Sequence, residues 1–137
     1  MGLLKRALLV LGWVWTLPNT LVFVLVALLG GAVFHRLQPS GVLWFVGRRG
    51  FWSWYFGTYN AITVGCCTIS EEHPSVYENP IVIRHERIHS HQSMWMGVLY
   101  GPIYGMCSLV AKLQGLDAYW DNAMELQAYA TERDTSK

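Results

Sequence analysis

The sequence predicts an α+β fold: a hydrophobic N-terminal helical segment, a small antiparallel or mixed sheet, then three helices. Three observations lead there. No charged residue occurs across residues 7–34. Residues 41–69 carry β-branched and aromatic runs punctuated by glycine, as strands do. From Asn79-Pro80 onward the chain shows helix-start signals and helical spacing as far as Thr131.

The uncharged stretch is 28 residues long. As one helix it would measure about 42 Å, more than the roughly 30 Å of a bilayer's hydrocarbon core. Leu17-Pro18-Asn19-Thr20 interrupts it. Pro18 disrupts the turn behind it, and Asn19 or Thr20 could cap a new helix. Two arrangements follow: a kinked helix spanning the bilayer, or two short helices dipping into one leaflet. Trp13 and Trp15 suit an interfacial depth. A signal peptide competes, with Lys5-Arg6 as its basic region and Gly30-x-Ala32 as a cleavage site. The apolar stretch is long for that role, which favours a retained, membrane-associated segment over residues 1–36. Residues 37–137 form the second part.

Residues 41–46 and 51–56 are separated by Gly47-Arg48-Arg49-Gly50 and read as a hairpin. Residues 60–69 read as a further strand, with Gly65 as a bulge or close-approach position. Trp44, Trp52, Trp54, Tyr55 and Tyr59 read as core or interface aromatics. Cys66 and Cys67 are adjacent on that strand, so they point to opposite faces and do not share one metal. With Cys107 they make an odd count, which is not a disulfide framework.

The chemistry concentrates in His85-Glu86-Arg87-Ile88-His89. Asn79 as N-cap and Pro80 at the first position start a helix over residues 80–96. Histidines four apart share a helix face, so His85 and His89 can reach one metal ion, with Glu86 bordering the site. Two imidazoles that hold Zn²⁺ and a carboxylate that takes a proton from water form the core of a zinc hydrolase. Catalytic zinc takes a third protein ligand and keeps one position open. Glu125, beside small Ala128 on a helix over residues 119–131, is the choice. Asp121, one turn earlier, is a candidate to orient a ligating imidazole. Tyr129, Tyr119 and His91 are candidates to stabilise an oxyanion. For Glu125 to return to the histidines, residues 93–111 must reverse the chain. Gly101-Pro102 is the expected turn between two packed helices.

His85-Glu86-x-x-His89 followed by Glu125 resembles the gluzincin type of metallopeptidase. Arg84-His85-Glu86-Arg87-Ile88-His89-Ser90-His91-Gln92 is similar to small bacterial membrane-associated proteins with an R-H-E-x-x-H-x-x-Q pattern. In those, Tyr-x-x-Asn-Pro-x-Glu-x-Glu-Ala-Tyr follows. Here Tyr119 to Tyr129 matches, with Ala123 for the proline and Gln127 for the second glutamate. The resemblance covers residues 60–130. It implies a zincin-like fold, a zinc site and a bacterial-type cytoplasmic membrane. It also implies a strand edge beside the metal helix that binds extended peptide, by strand addition. Thr63, Val64, Gly65 and Cys66 are the candidates for that edge.

Of the 137 residues, 53% are hydrophobic and 14% charged, with a mean hydropathy of +0.25. This is greasy for a small soluble enzyme and too mixed for a polytopic channel. The net charge of +1 gives no electrostatic case for nucleic acid; Arg48-Arg49 is too short a basic patch. The expected function is therefore a membrane-associated, zinc-dependent peptidase with one Zn²⁺, the lipid bilayer and a peptide as partners. The competing reading is a non-catalytic, metal-stabilised membrane scaffold. A fourth protein ligand would favour it, and His91, Glu71, Glu72 and His73 are the candidates.

Overall fold

Pro18 does not break the N-terminal helix. In the computed structural model, which describes residues 2–48, 50–56 and 60–134, α1 runs without interruption over Leu3–Leu29. Asn19 and Thr20, expected as caps, act instead as cross-links to the rest of the chain. The Asn19 amide donates to the Gly97 carbonyl at 2.6 Å. The Thr20 hydroxyl accepts from the Cys66 amide at 2.9 Å and donates to the Thr16 carbonyl at 3.1 Å. Tertiary bonds on this face hold the helix through its proline, which is itself exposed. Thr16, Thr20, Phe23 and Ala27 form a buried stripe at helical spacing. The opposite face, from Leu4 to Leu29, is exposed and almost wholly apolar.

Gly30 and Gly31 end α1, Gly31 in the left-handed region at φ +88°. The chain then enters β1, Ala32–Leu37, a strand where the end of the helical segment over residues 1–36 is expected. β1 pairs antiparallel with β2, Leu43–Gly47. The expected second strand at residues 51–56 is a helix instead, α2, Gly50–Tyr55. Its aromatic composition suits a strand, but helical spacing lets Trp52 and Phe56 both turn inward and stack at 5.8 Å. The Trp52 indole also donates to the Ala27 carbonyl at the end of α1, one of the carbonyls a helix terminus leaves unpaired. Arg49 and Tyr59 lie outside the described residues.

The single strand expected at residues 60–69 is a hairpin: β3, Ala61–Val64, and β4, Cys67–Glu71, paired antiparallel. Gly65 stands first in the two-residue turn with φ +64°, the position and sign a type II′ turn requires. Cys66 is therefore a turn residue and not Cys67's neighbour on a strand. β4 pairs parallel with β2, and the sheet order is β1-β2-β4-β3, mixed, with β3 at an edge. Phe23, Ala27, Ala32, Phe45, Trp52, Phe56, Cys67 and Ile69 form the core between α1, α2 and the sheet. The division at residue 36 thus falls inside a strand that completes this core.

A one-turn helix α3, Pro74–Tyr77, precedes α4, Pro80–Met96, which begins as expected: the Asn79 side chain accepts from the Ile81 amide. The reversal comes earlier than Gly101-Pro102. Gly97 ends α4, a short 3-10 turn covers Gly97–Leu99, and α5 spans Tyr100–Leu113. Pro102 falls in the first turn of α5, where its missing N–H costs nothing. Gly97 has φ +56° and ψ −131°, and a side chain there would enter the Trp15 indole of α1. Gly97→Ala is expected to destabilise the chain by about 2–3 kcal/mol, the sum of a strained backbone and a steric clash. Thermal unfolding checks this: Tm should fall by about 8 °C or more, and an unchanged Tm would contradict it.

Leu4–Leu29 and Pro80–Leu113 are long and apolar enough to cross a membrane by length and composition. The second is broken at Gly97, and its first half turns His85, Glu86, His89 and Gln92 into the protein. α6, Ala123–Asp134, starts later than residue 119. Asp117 Oδ1 accepts from the Tyr119 and Trp120 amides, and Asp121 Oδ2 from the Asp117 amide. These bonds hold residues 117–121 in a turn. Buried Asn122 then caps α6, accepting from the Met124 amide at 2.9 Å while donating to the Tyr104 carbonyl and Ser108 hydroxyl of α5.

Candidate metal centre

The inner face of α4 carries His85, Glu86, His89, Ser90, Gln92 and Ser93, all buried. Arg87 and His91, on the other side of the helix, are exposed. α6 crosses this inner face and delivers Glu125, which is also buried. The result is a triangle of ligand atoms. His85 Nε2 lies 3.1 Å from His89 Nε2, and Glu125 Oε2 lies 3.2 Å from the first and 3.4 Å from the second. Among the described residues, this is the cluster that could hold a metal ion. It joins the two histidines of the pentapeptide to Glu125, with Glu86 outside the ligand set.

Each member is held from behind. Tyr104 of α5 donates to Glu125 Oε1 at 2.6 Å, so that carboxylate points its other oxygen into the triangle. Burial pushes the Glu125 carboxyl up, but hydrogen bonds from His85 and His89, the charge of His89 and the Tyr104 hydroxyl outweigh it and hold the group at about 2. Burial lowers His89, yet its bond to Glu125 and the nearby charges of Glu86 and Glu125 bring it up to about 9. The triangle is thus a buried carboxylate paired with a cation, the place His89 fills with its own proton. His89 Nδ1 meets Gln92 Oε1 at 2.9 Å. The His85 ring lies 4.7 Å from that of Tyr129, which stacks on Trp120.

Glu86 is anchored by the sheet. Its Oε2 accepts from the Thr63 hydroxyl at 2.7 Å, and Thr63 and Thr68 hydroxyls are 2.6 Å apart. Thr63 has one proton, given to Glu86, so Thr68 must donate to Thr63. Burial raises the Glu86 carboxyl, while His89, His85 and the Thr63 bond oppose it. A cleft of about 300 Å³ opens beside the triangle, lined by Glu86, His89, Glu125, Tyr104, Tyr119 and residues 61–64 of β3, among others. Burial pushes the hydroxyls of Tyr100, Tyr104 and Tyr119 up, so they stay protonated as donors.

The other expected residues divide. Tyr119 lines the cleft, and Tyr129 packs on a candidate ligand. His91 faces a separate apolar groove of about 410 Å³ between α1 and α4 and does not approach the triangle. Asp121 orients no imidazole, since its carboxylate is engaged by the Asp117 amide; the imidazole partner is Gln92. None of the proposed fourth ligands joins the cluster: Glu72 pairs with Arg48 at 3.0 Å, His73 caps α3, and Glu71 ends β4. Gly65 and Cys66 are not on the open edge. Their amides bond to Ser93 and Thr20, and the turn is buried against α1. Thr63 and Val64 do lie on edge strand β3, where the Tyr100 hydroxyl reaches the Thr63 carbonyl at 3.4 Å. Burial pushes the Cys66 and Cys67 thiols up to about 12, so neither is a nucleophile at neutral pH.

Tyr104 and Tyr100 went unread in the sequence, though tyrosines four apart share a helix face. Comparison with protein families, characterised proteins and solved structures finds no match for this chain.

Proposed function

We propose that this chain is a membrane-associated, zinc-dependent metallopeptidase with a gluzincin-like site in a zincin-like fold. The observation that carries the metal is the triangle. Ligands 2.0–2.1 Å from a tetrahedral zinc lie about 3.3–3.4 Å from one another, and the three separations here are 3.1, 3.2 and 3.4 Å. Two imidazoles and one carboxylate are also the donor set of a catalytic zinc with an open fourth position. Bound there, zinc supplies a Lewis acid for a scissile carbonyl and lowers the pKa of water toward about 7.

The chain's own residues supply the rest. Glu86, its Oε2 fixed by Thr63, takes a proton from water at Oε1 and passes it to the leaving amine. An extended peptide adds to the open edge of β3, its backbone pairing with the strand beside the triangle. Tyr119 presents a protonated hydroxyl in the cleft and can donate to a developing oxyanion, while Tyr104 keeps its proton on Glu125. Elemental analysis of the purified chain tests the metal reading: one zinc per chain is expected, and no zinc would refute it.

One observation favours the scaffold alternative. The triangle joins α4 to α6, so a metal would brace the fold whether or not chemistry occurs. Peptide hydrolysis by the zinc-loaded chain, abolished by a chelator and restored by zinc, separates the two.

The membrane is the proposed surroundings of α1. Its inner face is taken up by the domain, so its outer face, including Leu21 and Leu25, both more than half exposed, is the contact offered to lipid. The chain is expected to float with phospholipid vesicles. Leu21→Asp with Leu25→Asp should lower vesicle binding at least about tenfold without changing zinc content; undiminished binding would exclude this face.

A further inference from the structure

We infer that Gln92 is a positioning residue that fixes the tautomer of His89 and makes it depend on the docking of α6. The inference rests on the metal reading above, but not on peptidase activity. Gln92 is buried, one helical turn after His89. Its amide nitrogen has two hydrogens and two acceptors: the Met124 carbonyl at 3.0 Å and Gln127 Oε1 at 2.8 Å. A backbone carbonyl only accepts, so this nitrogen must face Met124. The amide oxygen is thereby turned toward His89 Nδ1, 2.9 Å away, and it too only accepts. His89 must therefore carry a proton on Nδ1. With Nδ1–H so held, Nε2, the atom in the triangle, is the nitrogen that gives up its proton when His89 takes a cation.

The contact on α6 makes this more than local support. Met124 directly precedes Glu125. The carbonyl that orients Gln92 is thus the one whose position reports whether Glu125 has been delivered. If α6 is displaced, the amide loses the acceptor that sets its direction, and His89 loses its tautomer along with its carboxylate neighbour. One side chain couples the ligand of α4 to the ligand of α6.

Two variants separate this role from packing. Gln92→Met keeps the bulk and removes the acceptor. Gln92→Glu keeps an acceptor for Nδ1–H but sets a carboxylate against the Met124 carbonyl, so it harms the fold more. In metal-free, ¹⁵N-histidine-labelled protein, a slowly exchanging His89 Nδ1–H signal is expected in wild type and Gln92→Glu, and not in Gln92→Met. By competition with a chromophoric chelator, zinc should bind about 10–100-fold more weakly to Gln92→Met, and within about threefold of wild type to Gln92→Glu. Melting temperature should rank the two variants the other way. Zinc affinity that follows melting temperature overturns the inference, as does a Gln92→Met chain with wild-type affinity and a protected Nδ1–H. A wild-type chain that binds no zinc removes the metal reading, and the Nδ1–H signal then judges the hydrogen-bond lock by itself.

Discussion

Glu86→Gln is expected to retain one zinc per chain and a near-wild-type melting temperature, while peptide hydrolysis falls by about 10²–10⁴-fold, the range contributed by a general base. The substitution preserves shape, and the amide oxygen can still accept from Thr63, so the Thr68–Thr63 chain of hydroxyls has its terminus. It also removes a buried carboxylate that burial disfavours, so no loss of stability follows from desolvation. What disappears is an atom able to take a proton. Because Glu86 stands outside the ligand triangle, zinc content separates a lost base from a lost metal. Hydrolysis that persists at the wild-type rate with zinc bound would remove Glu86 from the mechanism.

Glu125→Ala should have the opposite signature, with metal lost first and activity lost with it. Structural zinc sites bind with about 10–16 kcal/mol over their ligands, so one ligand of three or four is worth roughly a hundredfold or more in affinity. The substitution also leaves the Tyr104 hydroxyl without the acceptor it reaches at 2.6 Å and takes the negative charge from between two histidines. Adding zinc should raise the melting temperature of wild type through binding linkage and leave that of Glu125→Ala nearly unmoved. Equal zinc content and equal zinc-induced stabilisation in the two proteins would show that the third ligand is elsewhere.

The site was legible where its geometry is local. His85 and His89 are one turn apart, and Asn79-Pro80 announces the helix that carries them. Glu125 was reachable from its place beside small Ala128 on a helix, although α6 begins four residues later than expected. The supporting residues were harder. Asp121 had the right spacing to serve a histidine, but an Asx-type bond to Asp117 claims it. Gln92 was visible in the R-H-E-x-x-H-x-x-Q pattern without a partner to give it a role. Tyr104 lay in a run that read as generic apolar helix.

The sheet shows the same division. Alternating and aromatic runs marked residues 41–69 as strand-rich, yet Gly50–Tyr55 form a helix, which lets Trp52 and Phe56, four apart, bury together. Residues 32–37 joined the sheet because β2 needed an antiparallel neighbour, a demand that no local propensity records. By itself the sequence determined what depends on contacts within a few residues: the α4 helix and its cap, the paired histidines and the apolar character of the first helix. Only the tertiary structure decided which distant groups meet: Glu125 with the histidines, Thr63 with Glu86, Gln92 with α6, Asn19 and Thr20 with the far side of the fold. Side-chain hydrogen bonds across such separations depend on how whole elements pack, and packing is set by the sum of many weak contacts that no short window of sequence contains.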